Sequence, residues 1–256
     1  MKDDSLYNLL DQKYREFIES HQEHVRSKFP SKSLKISPGC EVLYLGCSSC
    51  EGVANLINRG ARVLSICKDE LKVVKARKEG FATLLMNAEY IPYLNRFHRV
   101  ICEDYLYMIE CPSIAFEKII DSLQVGGVAT IEMIVNSDES IIREFILQVL
   151  KENGYIYSLY TPRWPSESVV KKSIPKYRLK SYKISAKYKT ELIKEKNVIN
   201  WFMPYIKMAS AHLTKDKQRH FFQLMEIIIQ KNIEKSPTRS IIAERKVLKI
   251  EMVKLR

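Results

Sequence analysis

Residues 41–52 read Glu41-Val42-Leu43-Tyr44-Leu45-Gly46-Cys47-Ser48-Ser49-Cys50-Glu51-Gly52, and this stretch decides the fold. A short apolar run stops at a glycine, small residues follow, and a helical pattern then runs through Arg59. That is a buried strand feeding a helix through a tight turn. Apolar side chains at successive positions mark a strand covered on both faces, as in a parallel sheet. Working outward, the same unit repeats. Gly60 closes the helix, and Arg62 to Ile66 is a second strand; residues 69–79 are helical and end at Gly80. Phe81 to Met86 reads as a third strand and Arg99 to Cys102 as a fourth. A helix at 113–123 leads through Val125-Gly126-Gly127 into a fifth strand, Val128 to Val135. A helix at about 139–152 and Gly154 precede a sixth, Tyr155 to Tyr160. Upstream, Pro38-Gly39 is a turn, and residues 5–29 carry apolar side chains at helical spacing, which predicts a leading amphipathic helix. Strands alternating with helices define an α/β fold of parallel βαβ units. Ligands in such sheets lie at the carboxyl ends of the strands, so the turn at 46–52 is the first candidate binding element.

The second part of the chain differs. All eight glycines lie at or before Gly154, and residues 161–256 hold 23 basic and 8 acidic side chains within a chain of formal net charge +12. Residues 163–189 read as a basic loop punctuated by Trp164-Pro165 and Pro175. Residues 190–212 and 215–234 read as helices broken near Pro204 and around Leu213-Thr214. Lys246 to Val253 alternates and predicts a last strand returning antiparallel to the sheet edge. The expected organisation is therefore a core over 1–160 with its leading helix, a basic helical insertion over 161–245, and a returning edge strand over 246–256.

No apolar run approaches the ~20 residues of a membrane span, and the start Met1-Lys2-Asp3-Asp4 is too charged for a signal peptide. The expectation is a cytoplasmic protein without membrane contact. The six cysteines (Cys40, Cys47, Cys50, Cys67, Cys102 and Cys111) are then read as free thiols. Cys47 and Cys50 have C-x-x-C spacing, but there is no second pair to complete a zinc site, so no metal is expected.

Several segments resemble the class I S-adenosylmethionine-dependent methyltransferase family. Val42-Leu43-Tyr44-Leu45-Gly46-Cys47-Ser48-Ser49-Cys50 is similar to its V-L-D-L-G-C-G-x-G. Leu123-Gln124-Val125-Gly126-Gly127-Val128-Ala129-Thr130-Ile131 is similar to its L-x-P-G-G-x-x-x-I. Asn87-Ala88-Glu89-Tyr90-Ile91-Pro92-Tyr93 resembles D-A-E-x-L-P-F, and Phe97-His98-Arg99-Val100 resembles F-D-x-V. The likeness spans about residues 34–160. A looser one links the helical region, from Trp201-Phe202-Met203-Pro204 to Phe221-Phe222, to small-acid methyltransferases of the trans-aconitate type. The resemblance implies a Rossmann-like, mostly parallel sheet with its last strand antiparallel and a helical insertion before that strand. It also implies S-adenosylmethionine as cofactor, held around Gly46, Cys47, Ser48, Cys67, Asn87, Ala88 and Glu103. Glu103, Asp104 and Tyr105 follow the fourth strand, where the family places substrate-facing residues; one of them contacts a ligand, or they are solvated loop residues.

Against this pattern the acids are missing. The family's first-strand acid is here Tyr44, the ribose-binding acid at the end of the second strand is Cys67, the adenine-binding acid is Asn87, and the aspartate of the F-D pair is His98. Asn87 keeps an acceptor oxygen. Cys67 is the severe change, because a carboxylate there makes two charge-assisted bonds of roughly 1.5–3 kcal/mol each. Their loss weakens cofactor binding by roughly two or more powers of ten. Asp69 and Glu70 compensate only if the turn is rebuilt.

These losses together imply a non-catalytic or regulatory member acting through a protein partner, such as an active paralogue. The alternative is an active methyltransferase on a small-molecule carboxylate or hydroxyl acceptor, in which positioning alone supplies the catalysis. Residues 176–189 carry six basic residues, three tyrosines and no acid. That stretch suits an acidic partner, an anionic substrate or a nucleic acid, or is a solvated face.

Overall fold

The computed structural model describes residues 36–46, 50–103, 105–106, 109–135, 141–153, 165–210 and 213–256. In chain order the elements are β1 (Glu41–Leu45), α1 (Cys50–Asn58), β2 (Arg62–Cys67), α2 (Glu70–Lys78), β3 (Thr83–Leu85), β4 (Phe97–Glu103), α3 (Pro112–Ser122) and β5 (Leu123–Ile134). They continue with α4 (Ile141–Glu152), α5 (Glu167–Ser173), β6 (Leu179–Lys194), α6 (Glu195–Ser210), α7 (Lys215–Lys235) and β7 (Ser240–Lys254). The chain divides into two compact units. The first takes in the described residues up to Met133 with Glu167–Ser185 and Leu248–Arg256; the second is Ile134–Ser166 with Ala186–Val247.

The sheet has the strand order β3-β2-β1-β4-β5-β7-β6. Pairing is parallel between β1 and β2, β1 and β4, β2 and β3, and β4 and β5. β1 and β2 are buried along almost their whole length, which is why their sequences are apolar at consecutive positions. The pleat sends Val42 and Tyr44 of β1 into a cluster with Val53 and Leu56 of α1, Val63 of β2 and Ala76 of α2. Leu43 and Leu45 point to the other face and are equally buried. Local signals set the helix ends. Asp69 caps α2 by accepting from the Lys72 N–H at 3.2 Å, and Pro112 opens α3, where a missing N–H costs nothing.

β7 runs against β5. The Lys246 carbonyl accepts from the Val135 N–H at 3.0 Å, just past one end of β5, while Lys254 reaches the Leu123 carbonyl at the other end, 2.7 Å away. β6 runs against β7 in turn: Leu255 N–H donates to the Arg178 carbonyl and Glu195 N–H to the Arg239 carbonyl. In the first unit, Arg178 ties the approach to β6 onto α3 through Glu117 (2.6 Å) and Asp121 (2.7 Å). In the second unit, α4, α6 and α7 pack on one another. The Phe145 and Phe202 rings stack there at 5.5 Å, and Val149, Ile206, Phe221 and Ile229 of the same helices are buried.

Three expectations need correction. Residues 163–189 are not a loop; they contain α5 and most of β6. Between buried Leu179 and Ile193 the described side chains of β6 are exposed or half-buried, so the strand has no apolar face to betray it. Consequently the last strand is not at the sheet edge, because β6 lies outside it. And α6 passes through Pro204 unbroken, its Val198, Phe202, Ile206 and Ala209 buried at helical spacing. The predicted helix at 5–29 and strand at 155–160 lie outside the described residues. Among the described residues no helix is long and apolar enough to cross a membrane.

Candidate functional site

In the first unit the parallel strands end together at Gly46, Cys67, Leu85 and Glu103. The chain order reverses between β1 and β4, which makes these carboxyl ends the place where an open α/β sheet takes a ligand. The strands therefore bring Gly46, Cys67, Asn87, Ala88 and Glu103 to one end of the sheet, while Cys47, Ser48 and Asp104 lie outside the described residues.

Gly46 leaves β1 at φ +100°, and its N–H donates to the Ile66 carbonyl at 2.8 Å. A Cβ at this position would stand 2.9 Å from the Tyr105 Cβ. The glycine thus serves two needs: a left-handed backbone and the close approach of Tyr105. Tyr105 is only 5% exposed. Its hydroxyl donates to the Met86 carbonyl at 3.0 Å, just past β3. Met86 N–H in turn donates to the Cys67 carbonyl at 2.8 Å. The tyrosine ring therefore runs from the end of β1 to the ends of β2 and β3, lying across the strand termini. The resemblance places this residue where substrate-facing ones lie; here its side chain is buried.

The other candidates are also engaged by the chain itself. Glu103 accepts from the Tyr44 hydroxyl at 2.9 Å. The same hydroxyl stands 2.6 Å from where a Gly52 Cβ would be, so the phenol fills the space between β1 and α1. Cys67 is 3% exposed and brings no charge to the end of β2. Lys68 follows it, its ammonium pKa lowered by desolvation against the raising pull of Glu89 and Glu110. Asp69 is used as the cap of α2 and does not replace the missing acid. Asn87 donates from Nδ2 to Glu89 at 2.6 Å, and Glu89 also accepts from the Cys111 N–H at 2.7 Å. The Asn87 Oδ1 is buried without a hydrogen-bond partner among the described residues. Ala88 is fully buried in a short 3-10 turn.

His98 lies at the opposite, amino end of β4, where its Nδ1 accepts from the Glu41 N–H at 3.1 Å. Cys40, Cys50, Cys67, Cys102 and Cys111 are free thiols. Burial and the Glu79 carboxylate push the Cys50 thiol up to about 11, which keeps it protonated and unreactive. No group of three metal-ligating side chains occurs among the described residues.

No family model and no curated protein matches the sequence. Solved structures do match the fold. The YcgJ protein from Bacillus subtilis aligns over 96% of this chain and 99% of its own, at 12% identity and a TM-score of 0.56. A putative methyltransferase from Bacillus halodurans (BH2331) aligns over 96% of this chain and 100% of its own, at 14% identity and 0.55. The phosphoethanolamine N-methyltransferase 2 of Haemonchus contortus, solved with S-adenosylhomocysteine, aligns over 86% of this chain and 50% of its own, at 12% identity and 0.52. With its strand order, its parallel pairing and its glycine turn after β1, the chain has the Rossmann-like fold of the class I S-adenosylmethionine-dependent methyltransferases.

Proposed function

We propose that this protein is a non-catalytic member of the methyltransferase fold that acts through a partner, its cofactor cleft filled by its own side chains. The observation that carries this reading is Tyr105, whose ring crosses the strand ends from Gly46 to Met86. Three further features support it. Cys67 offers a ribose no carboxylate, Glu103 is engaged by Tyr44, and Asn87 and Glu89 bond to each other. One feature suits the cofactor: the buried Asn87 Oδ1 is an acceptor of the kind an adenine amino group needs. A single neutral acceptor, worth roughly 1 kcal/mol, does not offset the loss of two charge-assisted bonds and the displacement of a buried ring. On this reading S-adenosylmethionine does not fit the residues present, and no methyl-transfer step follows from them.

For the partner's surface, the approach to β6 and its first half carry the exposed Lys176, Lys180, Lys183 and Tyr182, with the Lys176 ammonium 5.7 Å from the Tyr182 ring centre. An acidic protein surface complements that patch. The competing reading, an active methyltransferase on a small carboxylate or hydroxyl acceptor, rests on Asn87 Oδ1 and requires Tyr105 to swing out. Calorimetric titration with S-adenosylmethionine decides between the two. The expected result is no saturable heat up to about 1 mM, and a micromolar dissociation constant would overturn the proposal.

A further inference from the structure

At the amino ends of β1, β4 and β5, the end of the sheet remote from the cleft just described, lies a cavity of about 350 Å³. Its size falls within the range of small-molecule pockets. Both polar side chains on its β4 wall are nitrogen donors. Arg99 is half-buried and has no carboxylate or hydrogen-bond partner among the described residues. Its neighbour Arg96, by contrast, is paired with Glu41 at 3.1 Å, and Arg178 has two carboxylates. The Arg99 charge also acts on the lining thiol of Cys40, lowering its pKa against a larger upward push from burial.

His98 supplies the second donor. Its Nδ1 accepts from the Glu41 N–H, so in the neutral ring the proton resides on Nε2. The backbone is open here as well. Gly39 (φ +79°) and Gly126 (φ +74°) line the cavity, and neither has any atom within 4 Å of where a Cβ would be. Backbone stripped of Cβ atoms on two sides is what a ligand's close approach requires. Pro38 and Val125, the latter 65% exposed, add an apolar wall.

We infer that this cavity binds a small oxyanion-bearing molecule, its phosphate or carboxylate on Arg99 and the His98 Nε2–H and its body against Pro38 and Val125. A guanidinium presents paired donors matched to either group, and the surrounding strands hold it in place. The site is independent of the filled cleft at the other end of the sheet and does not depend on whether that cleft takes a cofactor.

The test is an NMR titration of the isotope-labelled full chain with inorganic phosphate and, separately, with acetate. Saturable shifts of the His98 ring and the Gly126 and Gly39 amides are expected, with a dissociation constant of about 1–10 mM for at least one anion. Phosphate alone binding assigns a phosphorylated ligand, and equal binding of both a carboxylate-bearing one. R99Q should weaken binding at least tenfold, while R99K, which keeps the charge, should lose about threefold. H98N keeps an acceptor for the Glu41 N–H and removes the ring donor; it should weaken binding about threefold and provides a second measurement should R99Q fold poorly. No saturable shift at these residues up to about 50 mM of either anion overturns the inference. So does R99Q or H98N binding as tightly as the natural chain, or shifts confined to the lysines of β6.

Discussion

Removing the Tyr105 ring should open the strand ends to a nucleotide-like ligand, and the size of the effect follows from what holds the ring in place. Keeping a tyrosine at 5% exposure contributes about 1.5–3 kcal/mol, and its hydrogen bond to the Met86 carbonyl adds about 1 kcal/mol. A ligand that needs this space must first displace the ring, at a cost of about 2.5–4 kcal/mol. At 1.4 kcal/mol per tenfold, its apparent affinity is lowered by about 60- to 700-fold. Tyr105→Ala should therefore bind S-adenosylmethionine about two powers of ten more tightly than the natural chain. Tyr105→Phe loses only the hydroxyl bond and should gain about fivefold. Adding Cys67→Asp to Tyr105→Ala restores a ribose acceptor and should gain about a further hundredfold, bringing binding into calorimetric range. Titration calorimetry reads the affinities, and thermal melting confirms that each variant is folded. The reasoning is refuted if Tyr105→Ala binds no better than Tyr105→Phe, or if the natural chain already binds at micromolar concentration.

Three other predictions concern the framework. Lys254, 3% exposed, donates to Asn95 Oδ1 (2.7 Å), the Asp121 carbonyl (3.3 Å) and the Leu123 carbonyl (2.7 Å) at the end of α3. Lys254→Met strands these acceptors and should cost about 3 kcal/mol, lowering the melting midpoint by about 6–12 °C. Burial holds the Lys254 pKa below the ordinary 10.5, so unfolding takes up a proton on the alkaline side; the natural chain should gain stability relative to Lys254→Met as pH rises towards 10.5. Thr83 on β3 is fully buried with its hydroxyl unpartnered among the described residues, so the near-isosteric Thr83→Val should raise stability by about 1 kcal/mol in chemical denaturation. With its thiol near pKa 11 against 9.0 when unfolded, Cys50 should alkylate about 100-fold more slowly in the folded chain at pH 8, as read by mass spectrometry.

The first unit was legible in the sequence because its physics is local. Consecutive apolar residues such as Val42 to Leu45 mark a strand covered on both faces, and Gly60 and Gly80 sit where helices must stop. β6 was illegible for the opposite reason. Its lysines and tyrosines keep a sheet edge soluble, and in doing so they imitate a loop. The site divides along the same line. Motif positions such as Gly46 and Cys67 were found at the strand ends, since they follow the strands in sequence. That Tyr105 reaches Met86, nineteen positions earlier, depends on strand order and no spacing encodes it. Arg99 fits the pattern of β4 unremarkably, and that no carboxylate pairs with it among the described residues is a fact of space, not of spacing.

One detail of the second unit bears on how such a chain can be altered. The Glu195 N–H donates to the Arg239 carbonyl at 3.2 Å, and the two side chains clasp at 2.6 and 2.8 Å. The polypeptide leaves β6 and rejoins β7 at a single point, so α6 and α7 are topologically a swollen hairpin tip. Residues 196–238 can in principle be excised and the gap closed by an Asn-Gly turn without shifting the register of either strand. What resists excision is α4, whose Phe145 would lose its stacking partner Phe202. A polar residue at position 145, more than any change to the sheet, is the alteration that would let a shortened chain stay soluble.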